Sequence, residues 1–258
     1  MRAESFDTRL PAVLAAPSAA LRLLAIAACL AWGLAVATLV FPLAPAFLRL
    51  PLRKLWAGCM LDAAGVELRV EGAAIAPGAL LVANHVSWLD ILVLASRAPA
   101  VFVAKSEVRR WPAIGWLAAR AGTVFLRRAS GRSLLAAKSR IAGLLRDGRG
   151  AAMFPEATTS NGETVLPFRS GLMQAAVDAG RPVQAIAIAY RDERGGRSAS
   201  AAFVDGMTLW RSILAVCAAE RISATVAVAA PLAPGGRTRK ILARQARGAV
   251  AAMLGARN

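Results

Sequence analysis

The chain has 258 residues, 57% of them hydrophobic and 18% charged. That length gives one large domain or two small ones and needs no disulfide or metal staple; the composition excludes intrinsic disorder. The net charge is +17, and only four of the 32 cations are lysine. Guanidinium groups suit bidentate contact with phosphate, on lipid or on nucleic acid. With 6% aromatics and no zinc-finger, RNP or KH pattern, nucleic acid drops out as a partner and anionic lipid is favoured.

The first element in chain order is apolar. No residue from Leu23 to Leu48 is charged, and Leu23–Phe41 is almost wholly hydrophobic. As a helix those residues span ~28 Å, close to the ~30 Å hydrocarbon core of a bilayer. A buried core helix is the rival reading. So is a signal peptide, since Ala35-Val36-Ala37 fits the small-residue cleavage rule. Glu4 and Asp7 upstream, and an apolar run that continues past Ala37, argue against cleavage. Phe47, Leu48, Leu50, Leu52, Leu55 and Trp56 then interleave with Arg49, Arg53 and Lys54, as in a segment at the headgroup level. Three cations precede the segment and three follow it, so charge assigns no orientation. Both a spanning and a re-entrant course stand. Residues 1–58 are therefore expected to form a membrane anchor with an interfacial segment.

Residues 59–258 read as one α/β domain. The expected strands are Leu68–Glu71, Ala79–Ala83, Val101–Ala104, Thr123–Leu126, Ala151–Phe154, Ala185–Ala189, Ala201–Val204 and Ala224–Ala229. Several are short continuous apolar runs, the pattern of strands covered on both faces. Ser133–Arg146 reads as an amphipathic helix that ends before Gly148. Arg237–Leu254 reads as a basic amphipathic helix whose stripe of Leu242, Ala246, Ala249, Val250 and Met253 packs on the core. Strand–helix alternation gives a largely parallel or mixed sheet flanked by helices.

Three cysteines, Cys29, Cys59 and Cys217, lie far apart with no CxxC pair, which argues against a disulfide framework and a thiolate metal site. His85 is the only histidine. It lies in Asn84-His85-Val86-Ser87-Trp88-Leu89-Asp90, where an apolar strand ends and a helical pattern begins, the place where α/β sheets bind ligands. A carboxylate five residues on can fold back across the helix start and bond one ring nitrogen, leaving the other as a proton acceptor. A satisfied structural histidine beside a first-turn carboxylate is the equal alternative. Phe154-Pro155-Glu156-Ala157-Thr158-Thr159-Ser160 follows another strand. Lys105-Ser106-Glu107 and Gly122 through Arg128 bring cations to two further strand ends.

Together these segments, from Val66 to Leu232, resemble the lysophospholipid acyltransferase family, typified by bacterial 1-acyl-sn-glycerol-3-phosphate acyltransferase. Asn84–Asp90 matches its NHxxxxD signature, Lys105–Arg128 its KSE block and Phe154–Ser160 its FPEGTRS block. Val165–Gly171 matches the segment after it. The resemblance implies a membrane-associated transferase moving an acyl group from acyl-CoA or acyl-carrier protein to a lysolipid hydroxyl, with no cofactor and no metal. His85 would be the general base and Asp90 its orienting carboxylate. Lys105 and Arg128 would meet the acceptor's phosphate, Glu156 its glycerol-like end, and backbone near Ala157 and Thr158 the reacting carbonyl, with Arg169 or Arg127 as the substitute for an arginine missing from the FPEGTRS block. The implied product is phosphatidic acid and the implied location a bacterial inner membrane, catalytic domain towards the cytoplasm. Ala157 stands where the family has Gly, and Thr159 where it has Arg. The Thr-Thr-Ser form resembles a branch that acylates lyso-ornithine lipid, a lyso-aminolipid, so that acceptor is the alternative. A non-catalytic lipid-binding relative is a third.

Overall fold

The computed structural model describes residues 17–127, 130–204 and 206–256. It opens with two packed helices. The first, α1 (Pro17–Ala35), passes into a π-helical turn at Val36–Val40. A bend through residues 41–45 then leads to α2 (Ala46–Ala63), whose start is set by Pro45 in extended conformation. Trp56 locks the pair, its Nε1–H donating to the Cys29 carbonyl at 2.9 Å. The indole lies where a side chain at position 33 would stand, so only Gly33 admits it.

A seven-stranded sheet follows: β1 (Val66–Gly72), β2 (Leu80–Ala83), β3 (Ala100–Lys105), β4 (Val124–Leu126), β5 (Gly150–Met153), β6 (Val183–Arg191) and β7 (Ile222–Val228). Their order is β1-β7-β6-β2-β5-β3-β4. Every pairing is parallel except β6 with β7. The sheet is therefore of the mixed kind expected, with one antiparallel pair.

Strand periodicity sends alternate residues to two cores. Leu81, Ala83, Ile186, Ile188 and Tyr190 face one layer. That layer is built by α1, α2, α3 (Leu89–Arg97) and α7 (Leu209–Ala218), the helix two after α5 (Gly131–Arg146) and one after α6 (Gln174–Ala179). Leu80, Val82, Ala185 and Ala187 face the other layer, built by α5, α6 and α8 (Arg239–Gly255). A short helix, α4 (Ile114–Arg120), precedes β4. Both faces of β2 are buried, which is why it reads as an unbroken apolar run. Side chains of Ser130, Thr208 and Thr238 cap α5, α7 and α8 by accepting from backbone N–H groups three residues on.

Seven of the eight expected strands are present, each within a few residues of the expected ends. Ala201–Val204 is not a strand. Phe203 donates its N–H to the Val86 carbonyl, and its own carbonyl accepts from the Thr159 hydroxyl. Its backbone groups are met by loops at the head of the sheet, so it needs no ladder partner. The C-terminal helix packs against the core through Leu242, Ala246 and Val250, as its stripe requires.

The N-terminal helices are tied to this domain. Arg22 donates to the carbonyls of Cys217, Ala219 and Glu220, closing the C-terminal end of α7. Arg53 of α2 donates to the Ala100 carbonyl at 2.8 Å. A Cβ at position 33 would stand 2.3 Å from Trp56 Nε1. Gly33→Ala should therefore expel the indole, break its bond to Cys29 and cost ~1–3 kcal/mol by overpacking. The reading is a lower thermal midpoint in detergent, and an unchanged midpoint would show that the helix pair adjusts freely.

Candidate active site

In a sheet whose central strands are parallel, chain ends of one kind gather along one edge. β2 and β5 are neighbours, with Val82 opposite Met153, so the segments leaving them, Asn84–Asp90 and Phe154–Ser160, emerge side by side. Adjacent strands are ~4.8 Å apart. Lys105, at the end of β3, is two strands from His85, and Arg127, just past β4, is three. Arg128 lies outside the described residues.

The histidine turn is fixed from several sides. Asn84 acts as an extension of β2: its side-chain amide donates to the Ile188 carbonyl at 2.9 Å and accepts from the Ile188 N–H at 2.8 Å. The His85 carbonyl accepts from the Ser160 N–H at 2.9 Å, joining the two segments directly. The imidazole stacks on Phe154, ring centroids 4.1 Å apart and planes 11° from parallel. Its Nδ1 lies 2.8 Å from Asp90 Oδ2.

Asp90 sits in the first turn of α3 with its side chain fully buried. Oδ2 also accepts from the Val86 and Ser87 N–H groups, at 2.8 and 3.0 Å, and Oδ1 accepts from the Tyr190 hydroxyl at 2.7 Å. With its oxygens met by these donors, the shared proton belongs on Nδ1, and Nε2 keeps its lone pair. The His85 side chain is 19% exposed, enough for a ligand to reach.

Glu156 follows one strand over and is 5% exposed. Among the described residues no group meets either of its carboxyl oxygens in hydrogen-bond geometry. Burial, aided by the nearby Asp90 charge, pushes its carboxyl up to about 7. The backbone of His85 and of Leu166, and more weakly Arg247, pull the other way. A buried carboxyl that backbone N–H groups approach but do not meet in full hydrogen-bond geometry, beside an imidazole that is partly exposed, is suited to accept or donate a hydrogen bond to a bound polar group.

The next residue is strained. Ala157 has φ +61°, the left-handed region that favours glycine, so its methyl replaces the family's Gly where a Cβ is costly. Its N–H donates to the Phe154 carbonyl at 3.1 Å, closing the turn rather than pointing to a ligand. Thr158 is exposed. Thr159 is turned to the Phe203 carbonyl. Thr158, Thr159, Phe203, Val204, Gly206 and Met207 line a cavity of about 190 Å³ beside the turn. The Arg169 side chain is exposed, while its N–H donates to the Pro155 carbonyl at 2.9 Å.

Sequence reasoning did not single out Tyr190, Phe154 as a stacking partner, or Arg247. The last reaches from α8 to the carbonyls of Val165 and Leu166 at 2.7–3.1 Å. Tyr190 did leave a signal, as the only tyrosine of the chain at the end of an expected strand.

Comparison with known proteins agrees with this architecture. The family model described as Acyltransferase matches residues 67–189. A lyso-ornithine lipid O-acyltransferase from Pseudomonas aeruginosa is 43% identical over 203 residues, covering 79% of this chain and 78% of that one. A 1-acyl-sn-glycerol-3-phosphate acyltransferase from Neisseria gonorrhoeae is 40% identical over 157 residues, 58% of this chain and 62% of that one. The crystal structure of the 1-acyl-sn-glycerophosphate acyltransferase PlsC from Thermotoga maritima shares the fold. Its TM-score is 0.61 at 21% identity, covering 91% of this chain and 97% of that one. A histidine–carboxylate pair at the carboxyl edge of a mixed α/β sheet, with that degree of identity, defines an acyl-transferring enzyme. The chain belongs to the Acyltransferase family.

Glu156 also sets a pH dependence of stability. Its carboxyl is raised when folded, so between about pH 4.5 and 7 the native state holds more protons than the unfolded chain. Stability therefore falls as pH rises through that window, by on the order of 3 kcal/mol in all. Glu156→Gln should remove this slope and unfold at a higher temperature than wild type at pH 8, with little difference at pH 4.5. Parallel melting curves for the two proteins across the window would contradict the assignment.

Proposed function

We propose that the chain is a membrane-bound O-acyltransferase that moves a fatty acyl group from a thioester, acyl-CoA or acyl-carrier protein, to the free hydroxyl of a lysolipid. The observation that carries this reading is a partly exposed imidazole whose Nδ1 is bonded to a buried carboxylate, which leaves Nε2 as its free ring nitrogen. His85 Nε2 takes the hydroxyl proton as the acceptor oxygen attacks the thioester carbonyl. The tetrahedral intermediate collapses, the C–S bond breaks, and the departing thiolate takes up the proton from the imidazolium. General base catalysis of this kind contributes ~10²–10⁴-fold. Glu156 holds the acceptor near its reacting hydroxyl. Lys105 and Arg169 supply positive charge along the same edge, Arg128 being the further cation that the family resemblance assigns to the phosphate, and the turn at Ala157 and Thr158 borders the carbonyl.

Lyso-ornithine lipid, in which an amide-linked head group replaces the phosphate, is the favoured acceptor. Thr159 stands where the family has an arginine and its hydroxyl is spent on Phe203, so one phosphate-pairing cation is missing. The relative matched over 78% of its length bears that activity in its name. The second reading is 1-acyl-sn-glycerol-3-phosphate, with phosphatidic acid as product, supported by the Neisseria relative and by the remaining cations.

Membrane association falls to the helix pair. Pro17–Val40 forms a 24-residue helix containing an 18-residue stretch of mean hydropathy 2.4, of which 17% is buried. Arg22 and Arg53 bind both helices to the domain, and the bend between them lies beyond both ties. From Arg53 back to Ala46 is ~10 Å of helix, less than one ~15 Å leaflet. Leu39, Leu43 and Phe47 at the bend are 68%, 88% and 73% exposed. This favours a re-entrant hairpin that dips into one leaflet beside Arg49 and Lys54, with the catalytic edge on the cytoplasmic side of an inner membrane.

Two measurements test these readings. Membranes containing the chain should release thiol from acyl-CoA or acyl-carrier protein when given lyso-ornithine lipid or lysophosphatidic acid, and His85→Ala should lower the rate at least 10²-fold. Wild-type turnover in that variant would sink the mechanism, and thiol release with neither acceptor would favour a non-catalytic lipid binder. Leu43→Asp with Phe47→Asp should weaken flotation with anionic vesicles at least tenfold, since each aspartate removes apolar contact and adds charge repelled by the lipid. Unchanged flotation would mean that another surface carries the chain.

A further inference from the structure

The only histidine and the only tyrosine of the chain grip opposite oxygens of one carboxylate. His85 bonds Oδ2 of Asp90, and Tyr190 donates to Oδ1. Tyr190 lies one residue past the family-model match, which ends at residue 189. We propose that Tyr190 is a positioning residue for acyl transfer: its hydroxyl holds the Asp90 carboxylate in the rotation that keeps the His85 ring in line with the acceptor. The proposal rests on His85 being the base.

Oδ2 is fixed by three donors, His85 Nδ1 and the N–H groups of Val86 and Ser87. Among the described residues Tyr190 is the side chain that reaches Oδ1. Without it a buried carboxylate oxygen loses its partner, and the group gains freedom to turn about its Cβ–Cγ bond. Such a turn moves Oδ2, and the imidazole follows. A positioned base loses rate steeply with displacement of ~1 Å.

Delivering a phenol to this point requires the antiparallel pair. β2 ends at Ala83, level with Ile186 of β6. β6 runs on to Arg191 because β7 pairs with it there, Tyr190 opposite Ala224. Alternation from Ile186 through Ile188 then turns Tyr190 to the face covered by α3. The Asn84 amide bonded to Ile188 holds the strand against the histidine turn. The phenol also stays protonated, because burial and the neighbouring Asp90 charge push its ionisation well above the usual tyrosine range. It can act only as the donor that Oδ1 needs.

The test uses the full chain in detergent–lipid micelles, with acyl-CoA and whichever of lyso-ornithine lipid and lysophosphatidic acid the wild type acylates. Tyr190→Phe keeps the ring and removes the hydroxyl. It should lower kcat about 10–100-fold while leaving KM for both substrates within about twofold. Asp90→Asn should lower kcat further, and the double variant should be no slower than Asp90→Asn alone, since Tyr190 acts through Asp90. Wild-type kcat in Tyr190→Phe, or losses that multiply in the double variant, would overturn the proposal.

A second measurement stands if the Phe variant folds poorly. Chain grown on 3-fluorotyrosine is labelled at Tyr190 alone, and its fluorine resonance should move on Asp90→Asn. An unmoved resonance would overturn the proposal. Wild-type turnover by His85→Ala would remove the base itself and the proposal with it, whereas a dead His85→Ala beside a fully active Tyr190→Phe would leave the base and reject only Tyr190.

Discussion

Asp90 is a charge-bearing group with no exposure to solvent, and a carboxylate taken out of water costs several kcal/mol unless donors surround it. Here the donors come from two separate parts of the chain: the turn after β2, through its backbone and its imidazole, and the far end of β6. None of them would be in place unless the others were. The carboxylate therefore acts as a register mark that specifies how the histidine turn, the start of α3 and the antiparallel edge of the sheet fit together. Partial satisfaction of such a network is worse than none, so the arrangement tends to be complete or absent.

The mixed sheet follows from this demand. An all-parallel sheet would end its central strands at one level and leave the carboxyl edge to loops alone. Pairing β6 with an antiparallel β7 extends one strand beyond its parallel neighbour β2, giving the site a rigid wall on one side. The loops from β3, β4 and β5 keep the other side open. Tyr190 thus stands on regular structure, while His85 and Glu156 stand on turns.

What the sequence made legible was local. Asn84–Asp90 carries its chemistry within seven residues, so strand end, imidazole and carboxylate could be read from spacing together with family resemblance. Buried strands such as Leu80–Ala83 showed as apolar runs for the same reason. Contacts between distant positions were not legible. Tyr190 lies 100 residues from its partner, Arg247 lies 82 from the Val165 carbonyl, and neither position has a local pattern that names the other. Ala201–Val204 failed as a strand because an apolar run records burial, not ladder pairing; Ala201 bonds to Ser198, Phe203 to Val86 and Thr159, and Val204 to Met207.

The two departures from the family pattern in Phe154–Ser160 have different physical meanings. At Ala157 the backbone keeps the left-handed turn despite a Cβ, a strain of ~1–2 kcal/mol, so the turn's shape is held by the rest of the site and not by residue choice. At Thr159 the change is one of reach: a guanidinium is long and charged, but the short hydroxyl stays within the protein and ties the turn to Phe203. The first departure leaves the histidine side of the site unaltered, because His85 is braced by Phe154 and Ser160 on either side of Ala157. The second changes only what lies beyond it, around the cavity shared by Thr158, Thr159 and Met207. The two departures therefore act on different sides of one seven-residue turn, Ala157 on the side that braces His85 and Thr159 on the side that faces Phe203.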